Sequence, residues 1–226
     1  MESRMTKMRT WGLSTGYMLI LMAIAAGFAV GYVHETVFVE NDATATHLAL
    51  THNMVLFQFG IASWVLIAIL DVMVSIGMYV LYSDTNQKLA ASVALLRLIY
   101  TAMLILAIAQ LFMLLFNDDV ESGLANFKAF TKIWSYGLIV FGGHLVLLSM
   151  ICWKSTFTPK VVSILLLLAG LSYVAIEGAN SFFVDAQFWS SSILPFLQVL
   201  MAVGELAFAI WLIVRFTRHP PDEEFA

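Results

Sequence analysis

Long apolar runs, separated by short polar stretches, follow one another along the chain. A helix needs about 20 mostly apolar residues to cross a hydrocarbon core about 30 Å thick. Six runs reach this length, at approximately residues 11–33, 55–82, 89–116, 133–153, 161–180 and 194–216. The pattern predicts an all-α fold, an integral membrane bundle of six transmembrane helices that forms a single domain over residues 1–226.

The composition agrees with this interpretation. Hydrophobic residues make up 61% of the 226 residues and charged residues 12%, about half the charged fraction of an ordinary soluble domain. A water-soluble fold is therefore excluded. We expect membrane lipids as partners, with no nucleic acid and no cofactor.

The distribution of Lys and Arg predicts the orientation, because basic residues are retained on the cytoplasmic side. Eight basic residues flank the predicted spans on one side: Arg4, Lys7, Arg9, Lys88, Lys154, Lys160, Arg215 and Arg218. The other side carries two, Lys128 and Lys132, together with the acidic residues Glu35, Glu40, Asp42, Asp118, Asp119, Glu121 and Asp185. Both termini are predicted to be cytoplasmic.

Four ionisable residues lie inside the predicted spans, where each costs at least about 2.5 kcal/mol on insertion scales. They are Asp71, Arg97, His144 and Glu205, on the second, third, fourth and sixth spans. At about 1.5 Å per residue, each lies about 14–17 Å from the cytoplasmic end of its span. The four residues are therefore expected to form one polar layer near the middle of the membrane.

Asp71 and Arg97 form a natural bidentate ion pair, which either only fixes helix packing or also contacts a ligand or carries a proton. His144 and Glu205 are candidates to relay protons, bind a polar head group or coordinate a metal, and a plain interhelical hydrogen bond is the alternative. Further polar candidates share the helical faces of Asp71 and Glu205: Ser75, Tyr79 and Gln198.

The external side offers a weaker prediction. His34, His47 and His52 stand among acidic residues, and imidazole with carboxylate can hold a transition metal. Their spacing fits no metal motif, and a solvated acidic loop explains them equally well. Glu177 is expected near the outer surface, either lining an outer mouth or solvated at a helix end.

Small residues form a stripe along the first span. Gly12 and Gly16 are four residues apart, as are Gly27 and Gly31, and with Ala23 between the two pairs they make a flat face for close helix contact. We expect this face to pack within the bundle or to join copies into a homo-oligomer.

The residues assembled above resemble a family of six-helix prokaryotic membrane proteins known as domain of unknown function 4386. The similarity is carried by LDVMVSIGMYVLYSDTNQKLAASVALLRLIY, by GLIVFGGHLVLLSMICWKSTFTPKVVSILLLLAGLSYV and by GELAFAIWLIV. It implies that the recurring positions of the family fall on Asp71, Arg97, His144, Gly204 and Glu205. It also implies a multi-pass protein of the prokaryotic cytoplasmic (inner) membrane, without an established activity.

These observations favour the binding, sensing or passive transport of a proton, a small amphiphile or a lipid at the polar layer. An intramembrane enzyme, with a metal or with His144 as base, is the alternative, although the sequence has no GxSxG or HExxH motif. A structural or assembly subunit is the second alternative. A cavity beside the polar layer would favour binding, whereas a dry, closed pairing would favour a structural role.

Overall fold

The computed structural model describes residues 2–116, 119–182 and 193–218, which form helices and short connections with no strand. Helix α1 (Glu2–Phe28) continues through a π-helical segment (Ala29–His34) into α2 (Glu35–Val37). The remaining helices are α3 (Ala43–His52), α4 (Met54–Tyr82), α5 (Gln87–Met113), α6 (Val120–Lys154), α7 (Lys160–Phe182) and α8 (Ile193–Arg218). Asp118 and Asp185 lie outside the described residues.

Six helical stretches in the described ranges are long and apolar enough to cross a membrane, which confirms the predicted number of spans and the all-α class. They comprise the continuous rod from α1 to α2, and α4, α5, α6, α7 and α8. Many large apolar side chains on their outer surfaces are exposed, among them Ile69, Leu106 and Val161. Such a surface requires lipid around it. Which end faces the cytoplasm stays a prediction.

Several boundaries differ from the prediction: the first helical stretch, predicted over residues 11–33, runs from Glu2 to Val37. Helix α6 begins at Val120 rather than near residue 133, because its first turns are amphipathic: Phe127 is buried whereas Lys128 is exposed. A search for continuous apolar runs misses such a segment. The third span ends at Met113 rather than near residue 116. The short helix α3, which packs against the amphipathic part of α6, was not predicted either.

The spanning helices form a closed ring. Each packs against its neighbours along the chain, and α1 also packs against α8, so that the ring closes between the first and the last spans. We call this contact between α1 and α8 the seam. The topology leaves a centre to which all six spanning stretches can contribute side chains.

Glycines allow the closest approaches between the helices of the ring. A Cβ on Gly170 of α7 would lie 2.7 Å from the carbonyl oxygen of Gly142 on α6. In the predicted stripe of α1, Gly12 and Gly16 pack against α8 of the same chain, whereas Gly27 and Gly31 have no atom within 4 Å of a Cβ position. The first two glycines therefore serve the seam. Association of copies through this stripe stays a prediction.

An aromatic cluster fills the end of the ring near the chain termini. We call it the aromatic plug, and it consists of Tyr82, Phe157, Phe208, Trp211 and Phe216. The rings of Tyr82 and Phe157 stack with their centroids 5.3 Å apart, and Phe157 also stacks on Trp211 at 5.8 Å. The plug closes this end of the bundle with side chains from α4, α8 and the connection between α6 and α7.

We expect Tyr82→Phe to lower stability modestly. The Tyr82 hydroxyl lies 3.0 Å from the Thr158 hydroxyl and accepts a hydrogen bond from the Cys152 thiol at 3.2 Å, so its removal leaves buried polar partners unpaired. The loss should be about 1 kcal/mol and lower the thermal midpoint of the detergent-solubilised protein by about 3 °C. Tyr79→Phe is the control, because that hydroxyl has a 3.4 Å contact from exposed Gln87. Equal midpoints for the two variants would contradict the expectation.

Candidate functional site

Arg97 stands at the centre of a buried polar cluster that joins four helices. Its Nε donates to Asp71 Oδ1 at 2.8 Å, and its Nη2 lies 2.7 Å from the same oxygen. Its Nη1 donates to Glu205 Oε1 at 3.4 Å and lies 3.3 Å from His144 Nε2. The structure thus brings together all four residues that the sequence placed in one layer. The ion pair with Asp71 uses one carboxylate oxygen rather than the two of the expected bidentate geometry.

The contacts of His144 define its protonation. Arginine nitrogen can only donate, so Nε2 of His144 acts as the acceptor for Arg97 Nη1. The other ring nitrogen, Nδ1, lies 2.8 Å from the carbonyl oxygen of Val93 and therefore carries the proton. We infer a neutral imidazole, held in place by α5.

The cluster carries one excess negative charge when both carboxylates are ionised. Asp71 and Arg97 are fully buried and neutralise each other. His144 is also fully buried, while the side chain of Glu205 retains 26% exposure. The second oxygen of Asp71, Oδ2, is buried without a hydrogen-bond partner among the described residues. The site therefore offers carboxylate oxygens that its own cation does not fully use.

A cavity of about 300 Å³ adjoins the cluster. All six spanning stretches contribute to its walls, and Asp71, Arg97 and Glu205 are among the lining residues. The other walls are apolar or aromatic: Leu19, Met22, Ala23, Ala26, Trp64, Ile67, Tyr100, Trp134, Leu138, Phe141, Tyr173, Met201, Ala202 and Leu206. Its size is at the small end of the range for ligand pockets, and the combination of apolar walls with a few convergent polar groups is typical of them.

Most of the aromatic side chains that line the cavity were not predicted from the sequence. Their positions carried a signal, since Tyr100 follows Arg97 by three residues and Phe141 precedes His144 by three. Residues at this spacing share a helix face. Phe141 also holds its ring 5.3 Å from the guanidinium carbon of Arg97. An aromatic residue one helical turn from a membrane-buried charge is thus a candidate lining residue.

The cavity opens between α1 and α8, beyond the packed part of the seam. Ala209 is buried where α8 packs on Gly16, but Ala202, two turns earlier on the same face, is exposed. On α1, Ala23 is exposed in the same way, and Gly27 has open space beside it. Because Ala23 and Ala202 both line the cavity and are exposed, the cavity is open between α1 and α8. The cavity is thus accessible from the side of the bundle.

The remaining predicted residues lie at the margin of the cluster or away from it. The Ser75 hydroxyl donates to the Ala94 carbonyl at 2.9 Å and thus joins α4 to α5. Tyr79 lies toward the end of α4, near Gln87. Gln198 is exposed on the cavity-facing side of α8. Gly204 serves packing, because a Cβ there would lie 2.5 Å from that of Ala169 on α7.

A second cavity, of about 630 Å³, lies toward the other end of the bundle. Glu177 lines it and accepts a hydrogen bond from Ser135 at 2.6 Å, which favours the predicted outer mouth over a solvated helix end. Trp134 and Leu138 line both cavities and so form part of the wall between them.

The three histidines predicted as weak metal ligands, His34, His47 and His52, lie at the end of the π-helical segment and in α3. The ring of His34 packs 4.9 Å from that of Phe38, and His52 Nδ1 lies 2.8 Å from the Leu48 carbonyl oxygen. The described ranges contain no group of three or more His, Cys, Asp or Glu side chains that could hold a metal ion. Nearby, hydrogen bonds from Ser122 lower the pKa of Asp119, which caps α6.

Comparisons with known proteins extend over most of this architecture. A family model described as a domain of unknown function (DUF4386) matches residues 14–215, from α1 to α8. A protein of Archaeoglobus fulgidus, described as uncharacterised, is 27% identical over 157 residues, which are 70% of this chain and 83% of that protein. No solved structure matches the chain. The matched range contains the whole polar cluster.

Proposed function

Because the chain belongs to the family with the DUF4386 domain, whose description carries no activity, we propose from its geometry that it binds a small amphiphilic molecule in the central cavity. The observation that supports this most strongly is that three of the four membrane-buried polar residues, Asp71, Arg97 and Glu205, line a cavity of about 300 Å³ rather than forming a closed pairing. The polar head would lie at the cluster and the apolar part along the aromatic walls. Sensing and passive transport would both begin with this binding step.

The side opening supports the same proposal. A molecule dissolved in lipid can reach the cavity between α1 and α8 without passing through water, since Ala23 and Ala202 line the cavity and are exposed. A purely structural cluster would need neither the cavity nor the opening. We place the protein in the cytoplasmic membrane of a prokaryotic cell, where such molecules are dissolved.

A larger side chain in the cavity should weaken the binding of amphiphiles. We expect Ala202→Phe to lower the affinity for a six-carbon amphiphile by about tenfold or more, because Ala202 lines the cavity and the added ring would take up its volume. Hexanol, hexylammonium and hexanoate serve as probes with equal tails. Binding is measured by isothermal titration calorimetry with the whole protein in nanodiscs of neutral lipid.

Val203→Phe is the matched control. Val203 is the next residue on α8, is 39% exposed and does not line the cavity, so its substitution adds the same ring toward lipid. This variant should bind like the unsubstituted protein. If none of the three probes shows binding that Ala202→Phe weakens and Val203→Phe preserves, the proposed function is wrong.

A further inference from the structure

We propose that the ligand is a protonated amine that carries an apolar tail. This inference rests on the proposed binding function and deepens it by assigning the charge and hydrogen-bonding character of the head group. It follows from the balance of charges at the cluster, from the acceptors and donors left free, and from the walls of the cavity.

The charge balance favours a cation. Arg97 offsets the charge of one carboxylate, Asp71, at 2.7 Å, which leaves the charge of Glu205 uncompensated. The imidazole of His144 is neutral because it accepts a hydrogen bond from Arg97. In the low dielectric of the bilayer, an unbalanced carboxylate is stabilised by a partner of opposite charge. A single ammonium group would bring the cluster to neutrality.

An ammonium group would also find hydrogen-bond acceptors at the cluster. Arg97 Nε and Nη1 are engaged with Asp71, His144 and Glu205, and Nη2 lies 2.7 Å from Asp71 Oδ1. Arg97 Nη2 and Trp134 Nε1 make no hydrogen bond among the described residues, so free donors are present as well and the uncompensated charge decides for a cation. His144 Nδ1 is engaged with the Val93 carbonyl. By contrast, Asp71 Oδ2 has no hydrogen-bond partner among the described residues, and the partly exposed Glu205 carboxylate reaches the cavity. An ammonium group supplies the N–H donors that these oxygens lack.

The walls suit the same class of molecule. Trp64, Tyr100 and Tyr173 line the cavity, and the faces of aromatic rings attract ammonium groups. Met22 and Leu206 add apolar surface for the tail. The opening between α1 and α8 allows the tail to extend into the surrounding lipid. A free inorganic cation would use the carboxylates but not these walls.

The test compares three head groups on one tail. Hexylammonium, hexanol and hexanoate are titrated into the whole protein in neutral-lipid nanodiscs, and only the binding that Ala202→Phe weakens is assigned to the cavity. We expect hexylammonium to bind about tenfold more tightly than hexanol, and hexanoate to bind most weakly. In Glu205→Gln, which keeps the size and the acceptor oxygen, the preference of the cavity for hexylammonium over hexanol should disappear.

The outcomes separate this inference from the proposed function. If hexanol or hexanoate binds to the cavity as tightly as hexylammonium, the cationic head group is wrong while the binding function stands. If no probe binds in a way that Ala202→Phe weakens, the binding function itself is wrong. The comparison of probes uses the unsubstituted protein, so poor folding of Glu205→Gln would not prevent a decision.

Discussion

Arg97→Leu is expected to lower the stability of the protein by about 3–5 kcal/mol, which corresponds to a fall of about 10 °C in the thermal midpoint. The substitution leaves the buried carboxylate of Asp71 without its cation and places Glu205 beside a second unpaired acid. It also removes the donor to His144. The yield of monodisperse protein and the midpoint in mild detergent measure the effect.

Lys88→Leu is the matched control, because it removes an exposed cation from the first turn of the same helix, α5. Its midpoint should stay near that of the unsubstituted protein. The thermal midpoint of Arg97→Lys should lie between those of Arg97→Leu and Lys88→Leu, since an ammonium group retains the charge but lacks the planar array of donors. The double variant Asp71→Asn/Arg97→Leu should regain part of the lost stability, because it no longer contains the unpaired carboxylate of Asp71. If Arg97→Leu unfolds at the same temperature as Lys88→Leu, the ion pairs contribute nothing to stability.

Gly170→Leu is expected to have the other large effect. A Cβ at this position would lie 2.7 Å from the carbonyl oxygen of Gly142 and 2.9 Å from the amide nitrogen of Val146. Both are backbone atoms, so a side chain can be accommodated only if α6 and α7 move apart. We expect a loss of about 3 kcal/mol, again seen as a thermal midpoint about 10 °C lower.

Gly178→Leu in the same helix is the control. No atom lies within 4 Å of a Cβ at Gly178, so the change tests the helix itself without the close contact. Gly178→Leu should leave the thermal midpoint nearly unchanged. Like Gly170→Leu, it replaces a flexible glycine in a helix interior. An equal loss of stability in both variants would show that the packing of α6 against α7 does not depend on the close contact at Gly170.

The polar cluster could be predicted from the sequence because lipid penalises charge so strongly. Few ionisable residues remain inside apolar runs, and helices with a fixed rise per residue place them at calculable depths. Asp71, Arg97, His144 and Glu205 meet as that arithmetic predicts. The bond pattern, with Arg97 shared among the other three residues, depends on how the helices are rotated, which depth alone does not determine.

The cavity and its opening could not be predicted in this way. Aromatic residues occur throughout the spans, so Trp64 or Tyr173 carries no signal without the helix order. The glycines of the stripe in α1 look equivalent in the sequence, yet Gly16 packs against α8 while Gly27 lies beside open space. That difference depends on how α1 packs against α8, a tertiary feature. The amphipathic start of α6 was missed because its polar side chains interrupt the apolar run.

The seam has a consequence for synthesis of the protein in the cell. Arg9 Nε on α1 donates to the carbonyl oxygen of Phe216 on α8 at 3.3 Å, across 207 residues of chain. Because a chain emerges from its N-terminus, the ring can close only after the last span has left the ribosome. Asp71 and Arg97, by contrast, are 26 residues apart and can neutralise each other as soon as α4 and α5 form a hairpin. The nascent protein can thus shield its first two membrane-buried charges early, and Glu205 completes the site last.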